Sequence, residues 1–184
     1  MAEEELISLE EARQEVALVC RRLALLHLAF AEVLVNELGG EKGKRIIARA
    51  IKEYGKKVGE GKRQMAIEQG LALTPENLGK FRDLPRFGMH DRRETVEVEG
   101  EQRTRAYGCV MGQVWHEYNQ DALGRIYCYV DPAKNMAFNP EFKLIHTRAL
   151  PDGDEFCELV TRPTTDEERQ DFLAEDSDWA SIDR

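Results

Sequence analysis

Several features that would settle a function are missing from this sequence. Positive charge is in deficit: 26 Lys and Arg stand against 35 Asp and Glu, a net charge of −9. A surface built for nucleic acid or an anionic membrane needs the opposite sign, and no basic stripe with interleaved aromatics appears. There is no GxSxG, Walker loop, dinucleotide fingerprint or HExxH. The standard motifs of serine hydrolysis, nucleotide phosphate binding, Rossmann-type nicotinamide binding and zincin proteolysis are therefore absent. The longest apolar run, Leu23 to Val35, is interrupted by His27 and Glu32 and is too short for a bilayer. The acidic opening MAEEEL is unlike a secretory or mitochondrial leader. These absences describe a cytoplasmic chain with neither nucleic acid nor membrane as a partner. Cysteine is scarce: the four present contain no CxxC pair, so reduced thiols are expected rather than disulfides or a structural zinc site. Sequence distance does not forbid Cys109, Cys128 and Cys157 from meeting around a metal, but no metal or other cofactor is expected.

What is present describes a globular chain. With 184 residues, 42% hydrophobic and 33% charged, it can form one domain with a real core. That domain is expected over residues 1–163, followed by an acidic tail, 164–184, that is either loosely ordered or a short surface helix lying on Phe172, Leu173 and Trp179. Ser8 and Glu11 match a capping box. From there apolar residues recur at Leu9, Ala12, Val16, Val19, Leu23, Leu26, Phe30 and Val33, in alternating steps of three and four. Leu18, Leu25, Leu28 and Val35 widen the stripe almost to the full circumference, which predicts a buried central helix ending at Gly39-Gly40. On it, Cys20 reads as core packing and His27 as a satisfied core histidine. A second helix is expected from Glu41 to Gly59, its basic face solvated. Glycines beyond that point leave its end open. Thr74-Pro75 predicts a short helix to Phe81, and residues 83–89 a loop.

From Glu94 the period changes to two, with Glu99-Gly100 as the turn of a hairpin. Val110 to Tyr118 returns to helical spacing, with Gly124 as its stop. Ile126 to Val130 reads equally well as a strand or a helical turn. Phe142 to Leu150 and Glu155 to Thr161 form a second hairpin about Asp152-Gly153, read as a type I′ turn. That register pairs Leu150 with Glu155, Arg148 with Cys157 and His146 with Leu159. It puts Phe142, Leu144, His146, Arg148 and Cys157 on one face, with Thr147 and Glu158 on the other. The fold class is α+β: N-terminal helices packed on a small antiparallel sheet of two hairpins, with an intervening helix.

Two groupings carry chemistry. Cys128 and Asp131 lie three residues apart, so a helical turn would set them on one face. A thiolate is a nucleophile, and an aspartate can hold an amidine or ammonium by charge-assisted hydrogen bonds. The bland alternative is a buried cysteine beside an Asp-Pro cap. His146, Arg148 and Cys157 form the second grouping. Histidine transfers protons near neutral pH, and arginine clamps carboxylates. The bland alternative there is an ordinary half-exposed strand, and for Cys109 it is core. The spacings of His116-Glu117 and His90-Asp91 decide nothing.

Taken together, Cys109 before a helix, GRIYCYVD with Cys128 and Asp131, FNP at Phe138 to Pro140, and HTRALPDGDEFCELV carrying Gly153, Asp154 and Cys157 resemble the L-2-amino-thiazoline-4-carboxylic acid hydrolase family. The resemblance covers roughly residues 105–161. The closing GD-xx-C element also looks like the end of 4-vinyl-reductase-type small-molecule-binding domains. The first resemblance implies hydrolysis of a cyclic thiazoline amidine to N-carbamoyl-L-cysteine. It implies Cys128, Asp131, His146 and Cys109 as catalytic groups, with Arg148, Cys157, Thr147 and Asn139 as substrate contacts. The second leaves open a non-catalytic sensor that holds a small molecule or a metal. A third reading is an assembly protein that forms a homodimer through the broad apolar helix.

Overall fold

The computed structural model describes residues 6–174 and 182–183. The Ser8 signal works as written: Ser8 Oγ accepts from the Glu11 amide, and the Glu11 carboxylate accepts from the Ser8 amide. Helix α1 then runs Leu9–Leu38. Its burial differs from expectation. Cys20, Ala24, His27, Leu28 and Ala31 face the core, while Leu18, Val19, Leu23, Leu26, Phe30 and Val33 are exposed. The helix carries two apolar faces, and the one lined mainly by small residues is the one its own fold covers. His27 is satisfied as expected, its Nε2 lying 2.9 Å from the Leu123 carbonyl oxygen.

Helix α2 spans Gly40–Glu68, passing straight through the glycines that left its end open. Two glycines of α2 are contact points. A Cβ on Gly55 would stand 2.6 Å from the Ala133 Cβ, and one on Gly59 would stand 2.2 Å from the Lys134 carbonyl oxygen. They let α2 lie directly against α6 (Val130–Phe138), the tightest helix pairing in the fold. Thr74 caps the one-turn α3, Pro75–Leu78.

Strands β1 (Arg92–Val98) and β2 (Glu101–Tyr107) form the first hairpin, with Glu99 and Gly100 both at positive φ. Helix α4 (Val110–Glu117) follows, then α5 (Asp121–Arg125). Gly124 is not the stop of α4. It lies inside α5 where Trp115 packs, and a Cβ there would meet the indole at 2.2 Å. The ambiguous Ile126–Val130 is helical: a 3-10 turn, Ile126–Tyr129, runs directly into α6. Pro132 is tolerated in the first turn of α6, where amides have no partner within the helix.

Strands β3 (Phe142–Arg148) and β4 (Cys157–Pro163) complete an antiparallel sheet in the order β1-β2-β4-β3. His146 pairs with Leu159 as expected, but a bulge then moves Arg148 opposite Glu158 rather than Cys157. The connection is a 3-10 turn, Leu150–Asp152, closed by Gly153 at φ 93°, not a two-residue type I′ turn. Leu144, His146, Cys157 and Leu159 face inward, while Thr147 bonds the buried Glu158 on the outer face. Burial opposes ionisation of Glu158, but hydrogen bonds from Arg103, Thr147 and Arg105 outweigh it and hold its carboxyl at about 2.

The acidic tail is used. Thr165 caps α7 (Asp166–Leu173), whose Phe172 enters the main core while Leu173 stays exposed. Ile182 and Asp183 are buried, and the Ile182 carbonyl accepts from Lys143. Trp179 lies outside the described residues. No helix among the described residues is long and apolar enough to cross a membrane.

Candidate active site

A cavity of about 1050 Å³ opens between the first half of α1, the loop before β1, α6 and the inner face of the sheet. Cys109, Cys128, Asp131, His146 and Cys157 all line it. The helical run through Cys128 and Asp131 turns both toward the cavity. The inward register of β3 and β4 supplies His146 and Cys157. The other three candidates lie elsewhere. Arg148 is exposed, with its guanidinium 5.3 Å from the Phe156 ring centre. It shares with Thr147 a smaller outer pocket of about 260 Å³, which His146 also touches. Asn139 ends α6; its amide donates to the Leu73 carbonyl and its side-chain oxygen accepts from Glu141.

A chain of charged groups crosses the cavity wall. Lys62 donates to Asp83 at 2.5 Å, and Lys134 bridges Asp83 and Asp131 at 3.1 Å each. The second Asp131 oxygen lies 3.9 Å from His146 Nε2. On the far side of the ring, Asp183 takes Nδ1 at 2.9 Å and the His146 backbone amide at 2.7 Å. Arg125 clamps Asp183 at 2.6 Å and Asp152 at 2.9 Å. Whenever the ring is neutral, a carboxylate at Nδ1 keeps its proton on that nitrogen and turns the Nε2 lone pair toward Asp131 and the cavity. An atom placed within hydrogen-bond reach of both Nε2 and Asp131 fits that 3.9 Å gap.

Burial acts on the ionisable groups in different directions. Burial raises the Asp183 carboxyl, but the His146 hydrogen bonds and the charges of His146 and Arg125 outweigh it, so the carboxyl sits below its usual range. Burial pushes the Cys128 thiol well up, against the pull of Arg125, and Cys157 up to about 11. Cys109 at the start of α4 is also raised by burial, although the Gly112 and Met111 amides favour its ionised form. The thiols therefore stay protonated at neutral pH. His90, also on the cavity wall, is lowered to about 4 by burial and then by Arg93. Arg93 lines the cavity with no ion-pair partner among the described residues. Among those residues, no group of three or more His, Cys, Asp or Glu is arranged to hold a metal ion.

Residues 20–160 match the family model described as L-2-amino-thiazoline-4-carboxylic acid hydrolase, most of the chain's length. The chain belongs to that family. No curated protein and no solved structure matches it. The matched span of this hydrolase-family member contains all five candidate site residues that line the cavity and stops short of Asp183. Sequence reasoning missed Asp183, Asp83, Lys134 and Arg93, and it set His90 aside because its spacing decided nothing. An Asp131–Lys134 pair at helical spacing was available as a signal for one of them. Nothing in an acidic tail marks Asp183 as the partner of a histidine.

Proposed function

We propose that this chain opens a cyclic thiazoline amidine, or a closely related small heterocycle, by adding water across it. For L-2-amino-thiazoline-4-carboxylate the balance is one water consumed and N-carbamoyl-L-cysteine released. Water attacks the carbon between nitrogen and sulfur, the carbon–sulfur bond breaks, and sulfur leaves as a thiol. The observation that carries this reading is the meeting of His146, Asp131 and the three thiols on one cavity.

Each step has a group suited to it. His146, held through Nδ1 by Asp183, takes a proton from water at Nε2 and returns it to the departing sulfur. Asp131 pairs with the amidinium, which keeps the ring protonated and electrophilic and orients its carbon for attack. The protonated Cys109 and Cys128 suit hydrogen-bond donation to the departing sulfur better than attack on the ring. Arg93 takes the substrate carboxylate, a role the family resemblance implied for Arg148, because Arg93 is the one of the two that lines the cavity.

Incubating the protein with the thiazoline and following product by mass tests the reaction. Turnover to the carbamoyl product is expected, with His146→Gln lowering it about 100-fold or more. Cys128→Ser separates the roles: a loss of less than about tenfold fits donation, while abolition would make Cys128 the nucleophile. Tight binding of the thiazoline without turnover would replace the hydrolase by a binding protein.

A further inference from the structure

The exposed apolar face of α1 has a repeat of its own. Leu9, Ala12, Val16, Val19, Leu23, Leu26, Phe30 and Val33 alternate in steps of three and four, the spacing of a two-helix seam. Their side chains lie about a quarter-turn away from the face that packs on the protein's own core. Val19, Leu26, Phe30 and Val33 are each more than half exposed and Leu23 is 39% exposed, while Ala12 and Val16 are partly covered by the protein's own fold. From Val19 to Val33 the stripe is about 21 Å long at the α-helical rise. Its exposed area is on the order of 500 Å², more than half of the roughly 800 Å² that one partner contributes to a stable complex. Residues 23–31 contain no charged side chain, so the centre of the stripe offers nothing to a charged partner.

We propose that this face binds a second copy of itself, with the two α1 helices antiparallel about a twofold axis near Leu23 and Leu26. The choice of partner and direction follows from the side chains. In antiparallel register Leu23 meets the second copy's Leu26 and Phe30 meets its Val19, large against small at the bulkiest position. Parallel pairing would set Phe30 on Phe30 and Glu37 on Glu37, a bulky clash and a like-charge contact. Antiparallel pairing sets Glu37 near Ala12 instead. The seam is continuous with the cavity, because Val16, Val19 and Leu23 also line its α1 edge. The second copy's helix therefore lies along the cavity rim and narrows its opening.

Mass in solution tests this, and it does so without any assay of turnover, so its failure is separate from failure of the hydrolase reading. Light scattering of the wild-type chain should give twice 21.1 kDa. Leu26→Glu should halve that mass while leaving the far-ultraviolet circular dichroism unchanged, because the side chain faces solvent in the single chain. Phe30→Glu is the second variant, used if the first does not fold. A wild-type monomer at the highest soluble concentration overturns the proposal. So does a dimer that survives a folded Leu26→Glu or Phe30→Glu variant, because the contact must then lie on another face.

Discussion

Adding one methyl group at Gly59 and one at Gly61 should change stability in opposite directions, although the residues sit two apart on the same helix. At Gly61 the new Cβ meets nothing within 4 Å. Only the backbone effect remains, and alanine should stabilise by about 0.5–1 kcal/mol. At Gly59 the new Cβ would stand 2.2 Å from the Lys134 carbonyl oxygen and 2.7 Å from the Ala137 Cβ. An ordinary carbon–oxygen contact is about 3.3 Å, so α6 must retreat by roughly 1 Å. Both obstacles belong to α6 itself rather than to the end of a flexible side chain, which places the cost near the upper part of the usual 1–3 kcal/mol for overpacking. Subtracting the helix gain leaves a net loss of about 1–2 kcal/mol, or roughly 2–8 °C in Tm for a chain of this size. Function should suffer more than stability, because α6 carries Asp131 toward His146. A 1 Å displacement there is expected to cost about 100-fold in turnover. Urea unfolding of both variants, with turnover measured well below Tm, checks the pair. A Gly59→Ala protein as stable and as active as Gly61→Ala would refute the close α2–α6 contact and the positional role given to it.

Three further outcomes follow. His90 is lowered to about 4, so between there and its usual 6.5 the unfolded chain binds a proton that the folded chain does not. Stability is full above pH 6.5 and falls by up to about 3 kcal/mol as pH drops toward 4, and urea titrations should show His90→Gln removing that slope. Glu158, held at about 2, contributes stability that is complete above its usual 4.5 and lost as pH falls through 2. Glu158→Gln should cost about 2–3 kcal/mol at pH 7, with the gap to wild type closing in acid unfolding curves. Asp183→Asn should lower kcat about 10- to 100-fold with KM little changed, and Asp183→Glu should recover part of it, since the residue aligns His146 without touching substrate. A kcat equal to that of wild type would leave the aspartate a purely structural role.

The local signals that could be read are those with a single physical solution. The capping box at Ser8, the positive-φ turn at Glu99-Gly100 and the Thr74-Pro75 helix start each have one, and each is found. Periodicity located the apolar stripe of α1 but could not say which face the fold would cover. That is a tertiary matter: Gly43 of α2 lies directly against the α1 backbone at Leu34 and Val35, a contact that the spacing of apolar residues does not encode. The second hairpin was legible as far as His146 opposite Leu159. Beyond that, the bulge is set by how Leu150–Gly153 closes, and it carries Arg148 away from the inner face. Asp183 was illegible because its role is tertiary: a carboxylate from the tail reaching a histidine on β3 leaves no spacing pattern.

In the proposed reaction Asp131 and His146 act together on one substrate across the 3.9 Å between them. A double-mutant cycle on kcat/KM for ring opening, with Asp131→Asn, His146→Gln and both, measures that coupling directly. Groups sharing one transition state are not additive, so the double variant should fall no more than about tenfold below the worse single variant. Losses that multiply in full would show two independent sites and contradict the account.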